Sequence, residues 1–427
     1  MKQYLDIDVY NATKKRIKHT FDNFEQVVVS FSGGKDSGII LNMTLEYAEQ
    51  HNLLDSLSVY HMDYEAQYQM TTDYVTRTFE SLPEGEKHYW VCLPIKAQCA
   101  TSMYQNHWRP WSFEDKDIWC REMPKRCISE DNYPFSFDYN IWDYEFNTAL
   151  GKELSKDKKT AFIIGIRAQE SLNRFRAVAR DDVSRLDGKN WTVKVTDSLY
   201  NVYPIYDWET EDVWVANAKF GWDYNKLYDL YYQAGLTIHQ MRVASPFNDC
   251  AMDSLKLYKA IDPNNWGKMV GRVNGVNFAG LYGGTTAMGW RSIELPKGHT
   301  WESYMHFLLS TLPTETKAMY LEKLSTSIKF WREKGGVLSD EVINKLKEEG
   351  VDLEVGKKSN YNTDKKSVRM DYLDDTDIAE FNLIPSYKRM CICIMKNDHL
   401  CKYMGFSQTK AERAQRKKIM NKYKNLL

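Results

Sequence analysis

The stretch SFSGGKDSG (residues 30–38) follows directly on the apolar run Val27–Val29. Apolar residues ahead of it and a helix-compatible segment behind it place it at a strand-to-helix junction. Such a junction offers unpaired backbone N–H groups and the positive end of a helix. Gly33 and Gly34 let backbone approach an anion closely, and Lys35 can neutralise phosphate charge. The hydroxyls of Ser32 and Ser37 can donate to phosphate oxygens. Asp36 is out of place beside phosphate unless a Mg²⁺ stands between them. The spacing excludes the G-x-x-x-x-G-K-[ST] loop, because no glycine lies in register with a G-K pair.

Working outward, the first half of the chain alternates. Strands are expected at 25–31, 56–64, 88–95 and 160–167, and helices at 37–51 and 68–82. This alternation predicts an α/β fold with a parallel sheet covered by helices, whose ligands sit at the carboxyl ends of the strands. An aromatic-rich stretch at about 100–147 reads as an insertion or as a wall of the site. Glu209 or Thr210 is placed to cap a further helix, and 224–236 reads as another, rich in tyrosine. Downstream of about 250 the pattern is mostly helical, and the polar, lysine-rich segment 353–369 reads as a linker.

S-G-G-x-D-S after an apolar strand resembles the PP-loop of the ATP pyrophosphatase superfamily. A second motif, GIRAQESLNRF (165–175), is similar to the G-x-R-x-x-E-S-x-x-R segment of phosphoadenosine phosphosulfate (PAPS) reductases and of the small subunit of sulfate adenylyltransferase. A third, PIYDWETEDVW (204–214), resembles a segment of the same family that places a helix beside the site. The resemblance covers roughly residues 20–240. It implies the adenine-nucleotide α-hydrolase-like fold and an ATP or PAPS ligand with Mg²⁺ held in part by Asp36. Lys35, Asp36 and Arg167 are then the expected catalytic residues. Ser32, Gly33, Gly34, Ser37, Gly165 and Arg174 are the expected binding residues, with Asp63 a candidate near the ribose or base. Arginine suits Arg167 and Arg174 because its planar fork pairs with two oxyanion oxygens at once.

The chain departs from the reductases. It has no E-C-G-x-H segment, no C-C pair and no C-x-x-C pair among its eight cysteines. Neither an iron–sulfur cluster nor zinc is expected, and sulfite release by attack of a thiolate has no supported cysteine. Cys391 and Cys393, in MCICIM, read as structural thiols on a strand or a buried helix. The segment HQMR (239–242) either brings His239 and Arg242 to the site or packs as a plain loop. GLYGGTTAMGW (280–290) could cradle an anion but follows no clear strand, and it reads as a plain loop. Three C-terminal stretches, 231–247, 385–407 and the final TKAERAQRKKIMNKYKNL, resemble the IbrA-like co-activators of prophage gene expression. That resemblance implies a ParB/sulfiredoxin-like partner.

Composition adds limits. A net charge of −1 gives no global pull toward nucleic acid or membrane, although seven Lys or Arg between Lys410 and Lys424 could contact phosphates locally. No run approaches the roughly 18 apolar residues of a membrane span, and the first residues lack a signal-peptide core. A cytoplasmic protein is expected, with a PP-loop domain at 1–245 and a mostly helical region at 246–427. Two activities fit: cleavage of ATP between its α- and β-phosphates, or nucleotide sensing without turnover.

Overall fold

The computed structural model describes residues 4–83, 88–180, 183–282, 295–358 and 364–406. The chain divides into two compact units, interleaved along the sequence. The first comprises residues 1–98, 108–246 and 257–272, and the second 99–107, 247–256 and 273–427.

In the first unit, α1 (Val9–Asn23) precedes β1 (Gln26–Ser30), and α2 (Lys35–Gln50), β2 (Leu57–Met62), α3 (Gln69–Ser81) and β3 (His88–Val91) follow in strict alternation. After α4 (Asp143–Leu154) come β4 (Thr160–Ile164), α5 (Leu172–Ala179), β5 (Thr192–Lys194), β6 (Leu199–Val202), α6 (Thr210–Phe220) and α7 (Leu227–Gln233). The six strands form one sheet in the order β3-β2-β1-β4-β6-β5. All neighbours are parallel except β5 and β6. Val28 stands between Ser58 and Phe162 in the central register.

The period of two along β1 divides the core. Val27 and Val29 join Ile39, Ile40, Val59, Ile163 and Trp208 in one apolar cluster. Val28 joins Tyr60, Val91, Phe146, Leu150 and Phe162 in another. Both faces of the sheet are therefore covered, as a parallel sheet requires. The connection leaving β1 goes to β2 on one side, while β4 lies on the other. The carboxyl ends of β1 and β4 thus form a topological switch point, where open α/β sheets bind ligands.

α8 (Met252–Ile261) and α9 (Pro263–Arg272) follow, and then α10 (Val276–Tyr282), α11 (Trp301–Ser310), α12 (Thr314–Glu333), α13 (Asp340–Glu348) and α14 (Tyr387–Met395). In the second unit α11, α12 and α14 share a core of Trp301, Met305, Leu309, Tyr320, Met390, Cys391 and Cys393. Cys391 and Cys393 lie in a helix whose residues 389–394 are all buried, which explains their apolar context.

The linker expected at 353–369 is corrected. β8 (Leu353–Lys358) and β9 (Lys366–Met370) pair antiparallel, and β9 also pairs with β7 (Gly336–Leu338). Val368 and Met370 bury against Leu338, Val342, Ile343 and Leu346. Five of the six β8 residues are exposed, so their polarity resembles that of a linker. Residues 280–282 end α10, whereas 283–290 of the glycine-rich segment lie outside the described residues, as does the basic tail from 407 onward. No helix among the described residues is long and apolar enough to cross a membrane.

Candidate functional site

The loop between β1 and α2 turns through Gly33, whose φ of +75° favours glycine. A Cβ there would lie 3.0 Å from Val75 Cγ2 and 3.1 Å from Thr71 Cγ2. Asn225 fixes the turn, donating through Nδ2 to the Gly33 carbonyl and to Thr71 Oγ1, each at 2.9 Å. Gly34 is the N-cap of α2 in extended conformation, and no side chain caps the helix. The Asp36 and Ser37 amides therefore remain an anion-facing terminus.

Inside the loop, the Ser32 amide donates to Ser37 Oγ at 3.1 Å, and the two hydroxyl oxygens lie 3.0 Å apart. Ser37 Oγ donates to the Gly34 carbonyl at 3.0 Å. The Lys35 amide donates to the Tyr228 hydroxyl at 3.0 Å. Burial, and then the Asp36 charge, push the Tyr228 phenol well above its ordinary pKa, so it stays neutral.

The end of β4 meets this loop. A Cβ on Gly165 would sit 3.1 Å from the Asp36 carbonyl and the Ser37 amide nitrogen, so glycine permits the approach. Two residues on, Arg167 donates through Nε to Asp36 Oδ1 at 2.5 Å and through Nη1 to Gln169 Oε1 and Thr210 Oγ1, each at 3.2 Å. Lys35 Nζ lies 3.3 Å from Asp36 Oδ2 and donates to the Met241 carbonyl at 3.4 Å. Arg174, in the first turn of α5, pairs with Glu170.

Two hollows open here. The first, of about 170 Å³, is lined among others by Ser32, Gly34, Lys35, Asp36, Ser37, Gly165 and Arg174. The second, of about 250 Å³, is lined among others by Arg167, Gln169, Thr210 and His239. Lys35, Glu170 and Arg242 line both, and no cysteine among the described residues lines either.

The phosphate loop, Gly165, Arg167 and Arg174 thus come together, with Gly33 setting the turn. Asp63 does not join them. It is buried and lines neither hollow. Arg121 Nη2 lies 2.5 Å from both its oxygens, and Trp90 Nε1 and the Glu65 amide each donate to it at 2.8 Å. The aromatic-rich stretch supplies no residue to either hollow. It is pinned instead on Asp63 and on Glu65, which accepts the Trp111 and Cys120 amides at 2.8 and 2.9 Å. His61, beside Asp63, is a buried β2 residue whose Nδ1 lies 2.8 Å from the Phe31 carbonyl. Sequence reasoning missed Tyr228, Gln169 and the Met241 carbonyl. Nothing distinguishes Tyr228 from the other tyrosines of 224–232, and a carbonyl ligand leaves no mark on residue type.

Asp36 is the carboxylate that could touch a metal at the loop, and Glu170, paired with Arg174, lines the same hollow. Both Asp36 oxygens already face cations, and no group of three or more His, Cys, Asp or Glu side chains among the described residues could cage an ion. This donor set fits a Mg²⁺ carried mainly by substrate phosphates and waters, with one protein carboxylate.

Residues 26–234 match the phosphoadenosine phosphosulfate reductase domain, so the sheet and loop of this stretch form a PAPS reductase-like domain. Residues 235–415 match a domain of unknown function, DUF3440. The chain is 32% identical to the uncharacterized protein YbdN of Escherichia coli K12 over 418 residues, 96% of this chain and 94% of that one, and it belongs to the same family. It is 25% identical to the uncharacterized protein MJ0066 of Methanocaldococcus jannaschii over 222 residues, spanning half of this chain and 36% of that one. Among solved structures, Candida glabrata FMN adenylyltransferase is similar at 16% identity and a TM-score of 0.30, over 52% of this chain and 57% of that one. PAPS reductase from Candida auris is similar at 13% identity and a TM-score of 0.29, over 54% and 93%.

Proposed function

We propose that this chain binds an adenine nucleotide with its β- and γ-phosphates on the Ser32–Ser37 loop and cleaves ATP between the α- and β-phosphates. The observation that carries this reading is the convergence of Lys35 and Arg167 on the open N-terminus of α2. An acceptor nucleophile attacks the α-phosphorus, the bond to the bridging oxygen breaks, and pyrophosphate leaves with that electron pair. Lys35 and Arg167 stabilise the charge that builds on the leaving group. The Ser32 and Ser37 hydroxyls and the Asp36 and Ser37 amides orient the polyphosphate, and Arg174 binds a second anion, such as sulfate or a 3′-phosphate. Mg²⁺ bound by the phosphates and Asp36 would supply further neutralisation.

The test is incubation with Mg²⁺ and α-labelled ATP. Labelled AMP or an adenylylated product together with pyrophosphate, lost in Lys35→Ala, supports the reading. Failure to bind or cleave any adenine nucleotide ends it.

A second reading draws on the second unit, which has core clusters of its own. Here the nucleotide is sensed without turnover and its occupancy is passed to a ParB/sulfiredoxin-like partner of a phage co-activator system. Complex formation that requires nucleotide but survives loss of cleavage supports it. Complex formation indifferent to nucleotide sinks it.

A further inference from the structure

Residues 235–246 lie beyond the reductase-domain match, yet they belong to the first unit. They bring Arg242 and Val243 to the phosphate-loop hollow, and Ile238, His239, Met241 and Arg242 to the second. The segment is tied down at two points. Lys35 Nζ donates to the Met241 carbonyl at 3.4 Å, and the Tyr231 hydroxyl donates to the Arg242 carbonyl at 3.3 Å.

The Arg242 side chain differs from its cationic neighbours. Lys35 and Arg167 share the Asp36 carboxylate, and Arg174 is paired with the Glu170 carboxylate. Arg242 Nη2 instead donates to a backbone acceptor, the Glu170 carbonyl, at 3.2 Å. A guanidinium has five donors, and that bond orients this one while leaving donors for an incoming anion. Its place on the wall common to both hollows puts it where a polyphosphate on the loop would reach an acceptor.

We propose that Arg242 is a ligand of the nucleotide's pyrophosphate group, contributed from outside the reductase-domain segment. The inference rests on the reading of Ser32–Ser37 as a phosphate loop. Its competitor is a role confined to holding the Glu170 carbonyl.

Isothermal titration of the full chain with inorganic pyrophosphate, and separately with ATP, tests it. Arg242→Gln keeps a donor for the Glu170 carbonyl but loses the charge, and Arg242→Lys keeps the charge but loses the fork. Pyrophosphate affinity is expected to fall about 10- to 100-fold in Arg242→Gln, and less in Arg242→Lys, with the melting temperature of both unchanged. Wild-type affinity in Arg242→Gln, or a fall matched by lost thermal stability in both variants, overturns the proposal. If Lys35→Ala abolishes pyrophosphate binding while Arg242→Gln does not, the phosphate loop stands and the Arg242 assignment falls. If the wild type binds neither probe, both fall together.

Discussion

Two clusters in the first unit are built from the same parts and stand in different surroundings. At the end of β1, Asp36 lies between Lys35 and Arg167. At the end of β2, Asp63 and Glu65 lie against Arg121 and Arg272. Both pair carboxylates with guanidinium groups near strand ends of one parallel sheet. The first cluster lines open space and adjoins uncapped helix amides. The second is saturated: Glu65 is fully buried, and its two oxygens take two backbone amides and Arg272 at 2.8–3.2 Å. A buried ion pair at a strand end therefore does not mark a site. Donors and acceptors still open toward a hollow are what a ligand could use.

The largest expected effect falls on the closed cluster. Arg272→Met leaves the Glu65 carboxylate buried without its counter-ion, and breaking such a pair costs roughly 3–5 kcal/mol. Urea unfolding should show that loss, while pyrophosphate affinity of the protein that remains folded stays at the wild-type value. Wild-type stability combined with lost binding would break the comparison, because the second cluster would then belong to the site.

The open cluster should show the converse. Lys35→Ala is expected to lower ATP cleavage about 100- to 1,000-fold, the usual cost of one donor to developing charge. Its unfolding midpoint should move less than that of Arg272→Met. A rate within tenfold of wild type would remove Lys35 from the chemistry.

Gly165→Ala probes how closely the two strand ends meet. The added methyl lies 3.1 Å from Asp36 and Ser37 backbone atoms, which cannot rotate away, so overpacking costs roughly 1–3 kcal/mol. Because the strain falls on the phosphate loop, pyrophosphate affinity should weaken about tenfold. Unchanged affinity would show that the loop relaxes freely.

The contrast also explains what sequence could reveal. β1, the loop, α2 and the Gly165–Arg174 segment are legible because local spacing builds them: an apolar run, glycines where φ or contact demands them, and a helix start. Arg242 and Tyr228 reach the site through tertiary packing, so their sequence positions carry only ambiguous signals. Asp63 looked available for a ligand because its saturation comes from Trp90, Trp111 and Arg121, 27 to 58 residues away. β8 was hidden for another reason. An exposed strand beside a small core can be as polar as a linker, and only the pairing of Val368 and Met370 with that core reveals it.

The smallest effect is a pH dependence that belongs to the closed cluster. Burial works to raise the Asp63 carboxyl, but Arg121, His61, Trp90 and the Glu65 amide outweigh it and hold the group below the usual carboxylate value. A depressed carboxyl contributes stability that is present above its unfolded pKa of about 3.9 and lost as pH falls through the lower folded value. Buried histidines act earlier. Burial pushes His61 down and His399 down to about 4, so both are held neutral and destabilise the fold as pH drops below about 6.5. The two contributions therefore separate along the pH axis. Asp63→Asn should parallel the wild type from pH 7 to 5, at lower stability, and then lose stability less steeply below pH 4. Denaturant midpoints measured across that range decide the matter. Parallel curves throughout would mean that Asp63 is not held ionised by Arg121.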